Sequence, residues 1–348
     1  MTGRLRILHA VRSTRFAGVE RFVLRLAVAQ SESGHEVRVV GGDPGRMAPA
    51  LRTAGVLFTP AATVRQVVKA LRSVDVDVAN THMTAADGAA AVAFAVPGRH
   101  RRPALVSTRH FAAPRGSIGA IRWDTLIAPR VDAEISISRA VAASTGLPST
   151  IVHTGVPAVS TLARRDSRTI LMAQRLQPEK QTILGVHAFA ASGLASEGWT
   201  LVVAGDGPDR PELADLAEEL GVSDAVRLLG FRDDVHTLLG EAGMFLATCP
   251  REGLGLAVLE AMAHGVPVVA ARAAGHLDLL RGLDERALFT PGDPDAAASA
   301  LRSLADDAPG RSALAESARA RQRDRFSMSA QVTGTDAVYR AAMRRRKR

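Results

Sequence analysis

The run of residues with most potential chemistry is Glu252–Ala270, EGLGLAVLEAMAHGVPVVA. It reads as a loop, a helix, a tight turn and a buried strand. Glu252 and Glu260 stand eight residues apart, about 80° around a helix of 3.6 residues per turn, so they do not pair on one helix face. Glu252 falls in the loop before the helix and Glu260 in its second turn. Gly253 and Gly255 let backbone approach a ligand closely, and the helix start offers N–H groups suited to phosphate. Either glutamate alone reads as a surface residue; the whole string does not.

Two cations supply complementary charge. Ile170–Lys180 (ILMAQRLQPEK) is a strand followed by Arg175 and, five residues on, Lys180. An arginine fork and a lysine point charge suit a diphosphate, and stabilising a departing phosphate is the main electrostatic task in transfer from an activated ester. Arg-x4-Lys is unspecific in an arginine-rich chain, but its place just after a strand gives it weight. His82 and His110 each follow strand-like segments, although a lone histidine is more often structural. Asp75-Val-Asp77 starts a buried-looking strand, and two carboxylates make a poor Mg²⁺ site. Cys249 is the only cysteine, which excludes an intrachain disulfide or a cysteine-rich metal site.

The elements that must position these groups alternate. Strands are expected at Arg6–Val11, Glu36–Gly41, Val76–Asn80, Ala104–Ser107 and Ala133–Ile137, with helices at Glu20–Ser31, Thr63–Arg72 and Ala85–Ala95. After the polar segment Ala158–Arg168 the pattern restarts. Strands Thr169–Met172, Thr200–Ala204, Val226–Leu229, Met244–Ala247 and Val268–Ala270 alternate with helices Lys180–Ala191, Pro211–Leu220, Val235–Glu241 and Leu256–His264. Such alternation means parallel βαβ units. The expected fold class is α/β, with two Rossmann-like doubly wound domains and ligands at the carboxyl ends of their strands.

Length and composition agree. The 348 residues suffice for two domains, and 47% hydrophobic with 23% charged residues is a globular balance. The longest apolar stretch, Gly88–Val96, stops at Pro97 and is too short to span a bilayer. Ile7–Val11 is broken at Arg12 and is no signal peptide, so the expected compartment is the cytoplasm. The net charge of +9 is almost all scattered arginine; Trp123, Trp199 and Tyr339 form no stacking cluster, so no nucleic-acid partner is expected. The concentrated basic patch is the tail Arg344–Arg348, suited to contact with anionic membrane lipid or to a solvated terminus.

The Glu252–Ala270 stretch resembles the signature of the family 4 retaining glycosyltransferases of the GT-B fold, the group 1 glycosyl transferases: two glutamates flanking seven residues, then Gly-x-Pro-Val-Val. The resemblance implies that Glu252 contacts the donor sugar, Glu260 the nucleotide ribose, and the backbone of Leu254, Gly255 and Leu256 the sugar and diphosphate. Arg175 and Lys180 resemble the family's Gly-Arg-Leu…Lys-Gly element, with Gln174 and Gln181 in place of its glycines. Ala204–Pro208 (AGDGP) is similar to a Gly-x-Gly-Pro turn, Leu228–Val235 to the segment holding the nucleobase near Phe231 and Arg232, and Phe289–Pro294 to the closing turn. Ala274 and Asp278 depart from the usual Gly-Gly-x-x-Glu. In the first half, Gly18 keeps one glycine of a pair facing the donor phosphates, with Ala17 replacing the other. His110, in STRHF, occupies the place of the histidine that contacts the transferred sugar, and His82 is a weaker candidate on the acceptor side.

The implied protein is a metal-independent enzyme without a cofactor. It would move a hexose-type sugar, with retention, from a nucleotide-diphosphate sugar to a lipid, glycan or small-molecule acceptor. The implied domains are 1–160 for acceptor and 161–325 for nucleotide sugar, with a helix over 326–348 returning to the first. The alternatives are a catalytically silent sugar-nucleotide-binding module and a GT-B sugar-nucleotide epimerase.

Overall fold

The computed structural model describes residues 3–95, 101–118, 121–145, 147–160, 162–164 and 166–347. Val96 and Pro97, Thr161 and Arg165 of the polar segment, and Arg348 of the tail lie outside the described residues. The chain forms two compact units, Met1–Gly155 with Met328–Arg348, and Val156–Ser327.

In the first unit β1 (Arg6–Val11), α1 (Gly18–Glu32), β2 (Glu36–Val40), α2 (Pro44–Thr53), β3 (Leu57–Thr59), α3 (Val64–Ser73), β4 (Val78–His82), α4 (Thr84–Ala93) and β5 (Ala104–Arg109) alternate. A small hairpin of β6 (Ser117–Ile118) and β7 (Ile121–Arg122) precedes α5 (Trp123–Ile127), β8 (Ala133–Ser136), α6 (Arg139–Thr145) and β9 (Thr150–Ile151). The parallel sheet has the order β3-β2-β1-β4-β5-β8-β9. Alternate strand residues feed two cores: Leu8, Ala79 and Leu105 meet α3 and α4, whereas Ile7, Val78 and Val106 meet Val338, Tyr339 and Ala342. Those last three belong to α14 (Met328–Lys347), the final helix of the chain.

The second unit runs β10 (Thr169–Ala173), α7 (Thr182–Ala191), β11 (Thr200–Ala204), α8 (Arg210–Glu219), β12 (Val226–Gly230), α9 (Val235–Glu241), β13 (Met244–Ala247), α10 (Leu256–His264), β14 (Val268–Ala271), α11 (Ala274–Leu280), β15 (Leu288–Phe289), α12 (Pro294–Asp306) and α13 (Ala308–Arg325). Its sheet order, β12-β11-β10-β13-β14-β15, reverses direction between β10 and β13, the point where open α/β sheets bind ligands. Helix starts are locally encoded. Thr63 and Gln66 form a reciprocal capping box on α3. Asp293 accepts a hydrogen bond from Ala296 N with Pro294 at the first helical position, so part of the FTPGDP turn is a helix cap.

Several expected boundaries move, two of them at the unit junction and beside Lys180. The change of unit comes at Gly155/Val156, not at 160: Gly155 N donates to Gln331 Oε1 of α14, while Val156 N donates to Phe326 O at the end of α13. The helix expected from Lys180 starts at Thr182, because Gln181 takes a left-handed conformation (φ 51°) after a short 3-10 turn, Pro178–Lys180.

Candidate active site

At the reversal point of the second sheet, the β10–α7 and β13–α10 loops leave neighbouring strands and meet through one ion pair. Lys180 Nζ donates to Glu252 Oε2 at 2.6 Å, with both side chains mostly buried. Burial would raise the Glu252 carboxyl, but the Lys180 charge and hydrogen bond, with His276 and Cys249, hold it below its ordinary value. Glu252 is therefore ionised at neutral pH. Lys180 has three N–H donors, so it can keep Glu252 and still meet an anion.

The Lys180 loop is fastened from both sides. Thr248 Oγ1 donates to Lys180 O at 2.7 Å and Cys249 Sγ to Glu179 O at 3.2 Å. Gln174, at a position where glycine was expected, uses its amide: Nε2 donates to Thr182 Oγ1 at 2.9 Å and lies 3.2 Å from Lys180 O. The AGDGP turn supports the same loop from below. A Cβ on Gly205 would lie 1.7 Å from Gln174 O, and one on Gly207 2.1 Å from Leu176 O. Those glycines serve backbone-on-backbone packing under Arg175, a role that explains the motif without ligand contact.

Helix α10 begins at Leu256 with Gly255 as its N-cap, and no side chain caps it. The N–H groups of its first turn are thus open to an anion. The preceding loop, with Leu254 buried, rests on α11: Gly275 N donates to Glu252 O at 3.0 Å, and a Cβ on Gly275 would strike Leu254 Cα at 2.3 Å. His276 follows, fully buried, with Nδ1 3.1 Å from Ala271 O and its ring edge against Gly255. Burial pushes its pKa down against the opposing pull of Glu252, so the imidazole is neutral. Ala274, where the glycine of a Gly-Gly pair was expected, keeps a positive φ of 44°. Like Gln181, it keeps the left-handed backbone that glycine adopts most readily.

The remaining expected residues of this unit spread around α10. Arg175 is exposed and paired with Glu179 at 3.1 Å. Phe231 is 68% exposed in the loop after β12, and beside it Arg232 Nε donates to Asp234 Oδ1 at 2.7 Å. Glu260 is buried one turn beyond Leu256 and, with Val156, Pro157, His236, Ala263 and His264, lines a cavity of about 340 Å³.

In the first unit, Gly18 opens α1 and is exposed. Ala17 is extended (φ −128°), a conformation that does not need glycine, and its N–H donates to Glu20 Oε2 at 3.0 Å. His110 follows β5 and is buried to 7% exposure. Its Nε2 lies 3.0 Å from His82 Nδ1, and His82 Nε2 lies 3.0 Å from His9 Nδ1. Phe22 of α1 sets its ring edge-on to both His82 and His110. Burial lowers all three imidazoles, His9 to about 4 and His110 to about 3, the latter helped by Arg109. His82 sits on β4 itself and is fully buried, so it cannot touch an acceptor. The loop after His110 is pinned by Arg115, whose guanidinium reaches Asp87 at 2.8 Å, Asp124 at 2.9 Å and Glu134 at 2.7 Å. Asp75 and Asp77 are both engaged by Arg6.

Comparison with known proteins decides the family. Residues 16–158 match the family described as Glycosyltransferase Family 4, and residues 159–321 match Glycosyl transferases group 1. The chain belongs to the family 4 glycosyltransferases. This family 4 chain is 30% identical over 254 residues to an exopolysaccharide phosphotransferase of Streptomyces coelicolor, a match spanning 69% of the chain but 26% of that protein. It is 27% identical over 242 residues to the lipopolysaccharide core biosynthesis mannosyltransferase LpsB of Rhizobium meliloti, spanning 64% of the chain and 69% of LpsB. The structure of Anabaena HepE in complex with UDP and glucose superposes with a TM-score of 0.80 at 19% identity, over 96% of this chain and 99% of that one. The fold is GT-B.

Within this family 4 glycosyltransferase, Lys180, Glu252 and the Leu254–Leu256 backbone come together at one point, and Glu260 lines a cavity farther along the same helix. Arg175 makes no ion pair with Glu252; it turns to Glu179. His276 and His9 were missed. His276 lies inside an apolar-looking helix, AGHLDLL, and His9 inside a buried strand; a lone buried histidine gives no sequence signal. Tail residue Arg346 donates to Pro103 O at 2.6 Å, while Arg344 and Arg345 are exposed. Among the described residues no helix is long and apolar enough to cross a membrane.

Proposed function

We propose that this protein transfers a hexose-type sugar, with retention of anomeric configuration, from a nucleotide-diphosphate sugar to a lipid, glycan or small-molecule acceptor. The observation that carries the reading is the Lys180–Glu252 pair beside the uncapped start of α10. The diphosphate meets the N–H groups of the first turn of α10 together with Lys180, and Arg175 swings from its exposed partner Glu179 to join them. A cation and oriented N–H dipoles stabilise the departing phosphate, so the proposed reaction needs no metal ion. Glu252, held ionised by Lys180, accepts hydrogen bonds from sugar hydroxyls. Glu260 and the adjoining cavity take the ribose, and the Phe231–Arg232 loop takes the base. By the family resemblance, His110 is the histidine that contacts the transferred sugar. HepE, of the same fold, was solved with UDP and glucose, which supports a nucleotide-sugar donor.

Thermal-shift measurements against UDP, GDP, ADP and their common sugar conjugates test the reading, with Arg175→Ala and Glu260→Ala alongside. A nucleotide at a hundred times its dissociation constant stabilises the fold by about 2.7 kcal/mol. One nucleotide shifting the wild type but not the variants, followed by sugar transfer to an added acceptor, supports the proposal. No shift from any donor overturns it. A shift without transfer to any lipid, glycan or small-molecule acceptor moves it to the silent binding module.

A further inference from the structure

His276 lies against the start of α10 with one of its two ring nitrogens uncommitted. The residue is 1% exposed. Nδ1 stands 3.1 Å from Ala271 O at the end of β14. A carbonyl oxygen only accepts, so the N–H of the neutral ring sits on Nδ1. Nε2 makes no hydrogen bond among the described residues, yet it is not sealed from solvent. That edge of the ring faces Gly255, where a Cβ would lie 3.1 Å from Cδ2 and 3.3 Å from Nε2. Gly255 is the N-cap of α10, and no side chain closes that helix start.

The surroundings of the ring set what Nε2 can do. Burial disfavours the imidazolium, and the Lys180 ammonium opposes it too; Glu252 and the Ala271 carbonyl pull the other way, and burial wins. The positive end of α10 acts in the same sense as burial. The ring is neutral, so Nε2 holds a lone pair and accepts. An ionised phosphate also only accepts and cannot satisfy that nitrogen, whereas a hydroxyl can. In a nucleotide sugar the hydroxyls belong to the ribose and to the transferred sugar. The cavity at Glu260, assigned above to the ribose, is lined by neither Gly255 nor His276. On the side of Glu252 the two loops are tied, because Gly275 N, one residue before His276, donates to Glu252 O at 3.0 Å.

We infer that His276 is a specificity-determining residue whose Nε2 accepts a hydrogen bond from a hydroxyl of the transferred sugar. Ala271 O fixes the ring and its tautomer, and Gly255 leaves the accepting edge uncovered. The inference rests on the proposed function for its ligand; the tautomer does not. With Glu252 it gives the sugar site two acceptors on adjoining loops, which selects a donor sugar that keeps its hydroxyl groups over a deoxy sugar.

The test compares the wild type with His276→Asn, whose Nδ2 takes the place of Nδ1 and can keep the bond to Ala271 O while Nε2 is removed. UDP, GDP and ADP are titrated by calorimetry beside their glucose and mannose conjugates. Monodeoxyfluoro forms of those sugars follow, in which fluorine replaces a hydroxyl and cannot donate. In the wild type at least one fluorinated position should weaken binding about tenfold. In His276→Asn one such penalty should fall to within about twofold, with affinity for the nucleoside diphosphate alone also within about twofold of wild type. Unchanged penalties at every position overturn the inference, as does equal loss for nucleoside diphosphate and nucleotide sugar, which a merely structural role would give. Long-range ¹H–¹⁵N spectroscopy of the wild type judges it even if the variant does not fold. The expected ring carries Nδ1–H, and its Nε2 resonance moves with the nucleotide sugar more than with the nucleoside diphosphate. An Nε2–H tautomer or a protonated ring overturns the inference. Nucleotide binding with an indifferent Nε2 overturns this inference alone, whereas no binding by any nucleotide or conjugate overturns the proposed function with it.

Discussion

Lys180 Nζ and Glu252 Oε2 meet at 2.6 Å although 72 residues separate them in sequence. The contact exists because β10 and β13 are neighbours at the reversal of the second sheet, so the loops leaving their carboxyl ends must face each other. It places a fixed cation and a fixed anion beside an open helix start. The two variants should separate in their effects. Lys180→Ala should weaken nucleoside-diphosphate binding at least about tenfold, the equivalent of one charge-assisted hydrogen bond. Glu252→Gln should leave that affinity within about threefold and act mainly on kcat. Calorimetric titration with the nucleoside diphosphate alone, beside transfer assays, reads both; equal loss of affinity in the two variants contradicts the assignment.

Gln181 and Ala274 hold positive φ angles of 51° and 44° without being glycine. Gln181→Gly and Ala274→Gly should therefore not destabilise as glycine usually does, because relief of left-handed strain, roughly 1–2 kcal/mol, offsets the added freedom of the unfolded chain. Denaturant midpoints equal to or above wild type are expected. A fall of more than about 1 kcal/mol in either variant would show that the side chain, not the backbone, holds the loop.

Arg115 binds three carboxylates with its guanidinium wholly buried. Arg115→Met should cost about 3–5 kcal/mol by leaving buried charges uncompensated. It should also disturb the loop that follows His110. Urea unfolding measures the first effect, and amide exchange over residues 111–117 the second.

His9 and His110 titrate near 4 and 3 in the folded protein, against an ordinary value of 6.5. Between about pH 6.5 and 4 the unfolded chain binds protons that the folded chain refuses. Their contribution is complete above about pH 6.5 and is lost as pH falls through that window, by up to about 1 kcal/mol per pH unit per ring. Urea midpoints from pH 7 to 4 should slope down in the wild type. The slope should be shallower in His9→Gln, whose side chain cannot titrate. Parallel curves would mean that His9 takes up protons alike in the folded and unfolded chain, which contradicts its lowered pKa.

Much of this was legible in the sequence because it is local. The alternation of strands and helices follows from the period of apolar residues, and α9, α10, β11 and β13 have the expected bounds because Gly and capping residues punctuate them. The glutamates of the signature, and the cations after β10, are legible because a loop leaving a parallel strand end is where a doubly wound sheet binds its ligand. Adjacency within the sheet leaves no such local mark. Whether Lys180 pairs with Glu252 depends on which loops face each other. That His82 is buried comes from β4 extending two residues beyond the expected Asn80, so that it ends on the histidine. Gln174 looked like a defect in a glycine pattern; only packing turns its amide into a tie across the Lys180 loop. The sequence by itself determined the fold class and the chemistry at each strand end. The tertiary structure decided partnership and protonation, because both depend on burial and on neighbours that strand order, not chain order, brings together.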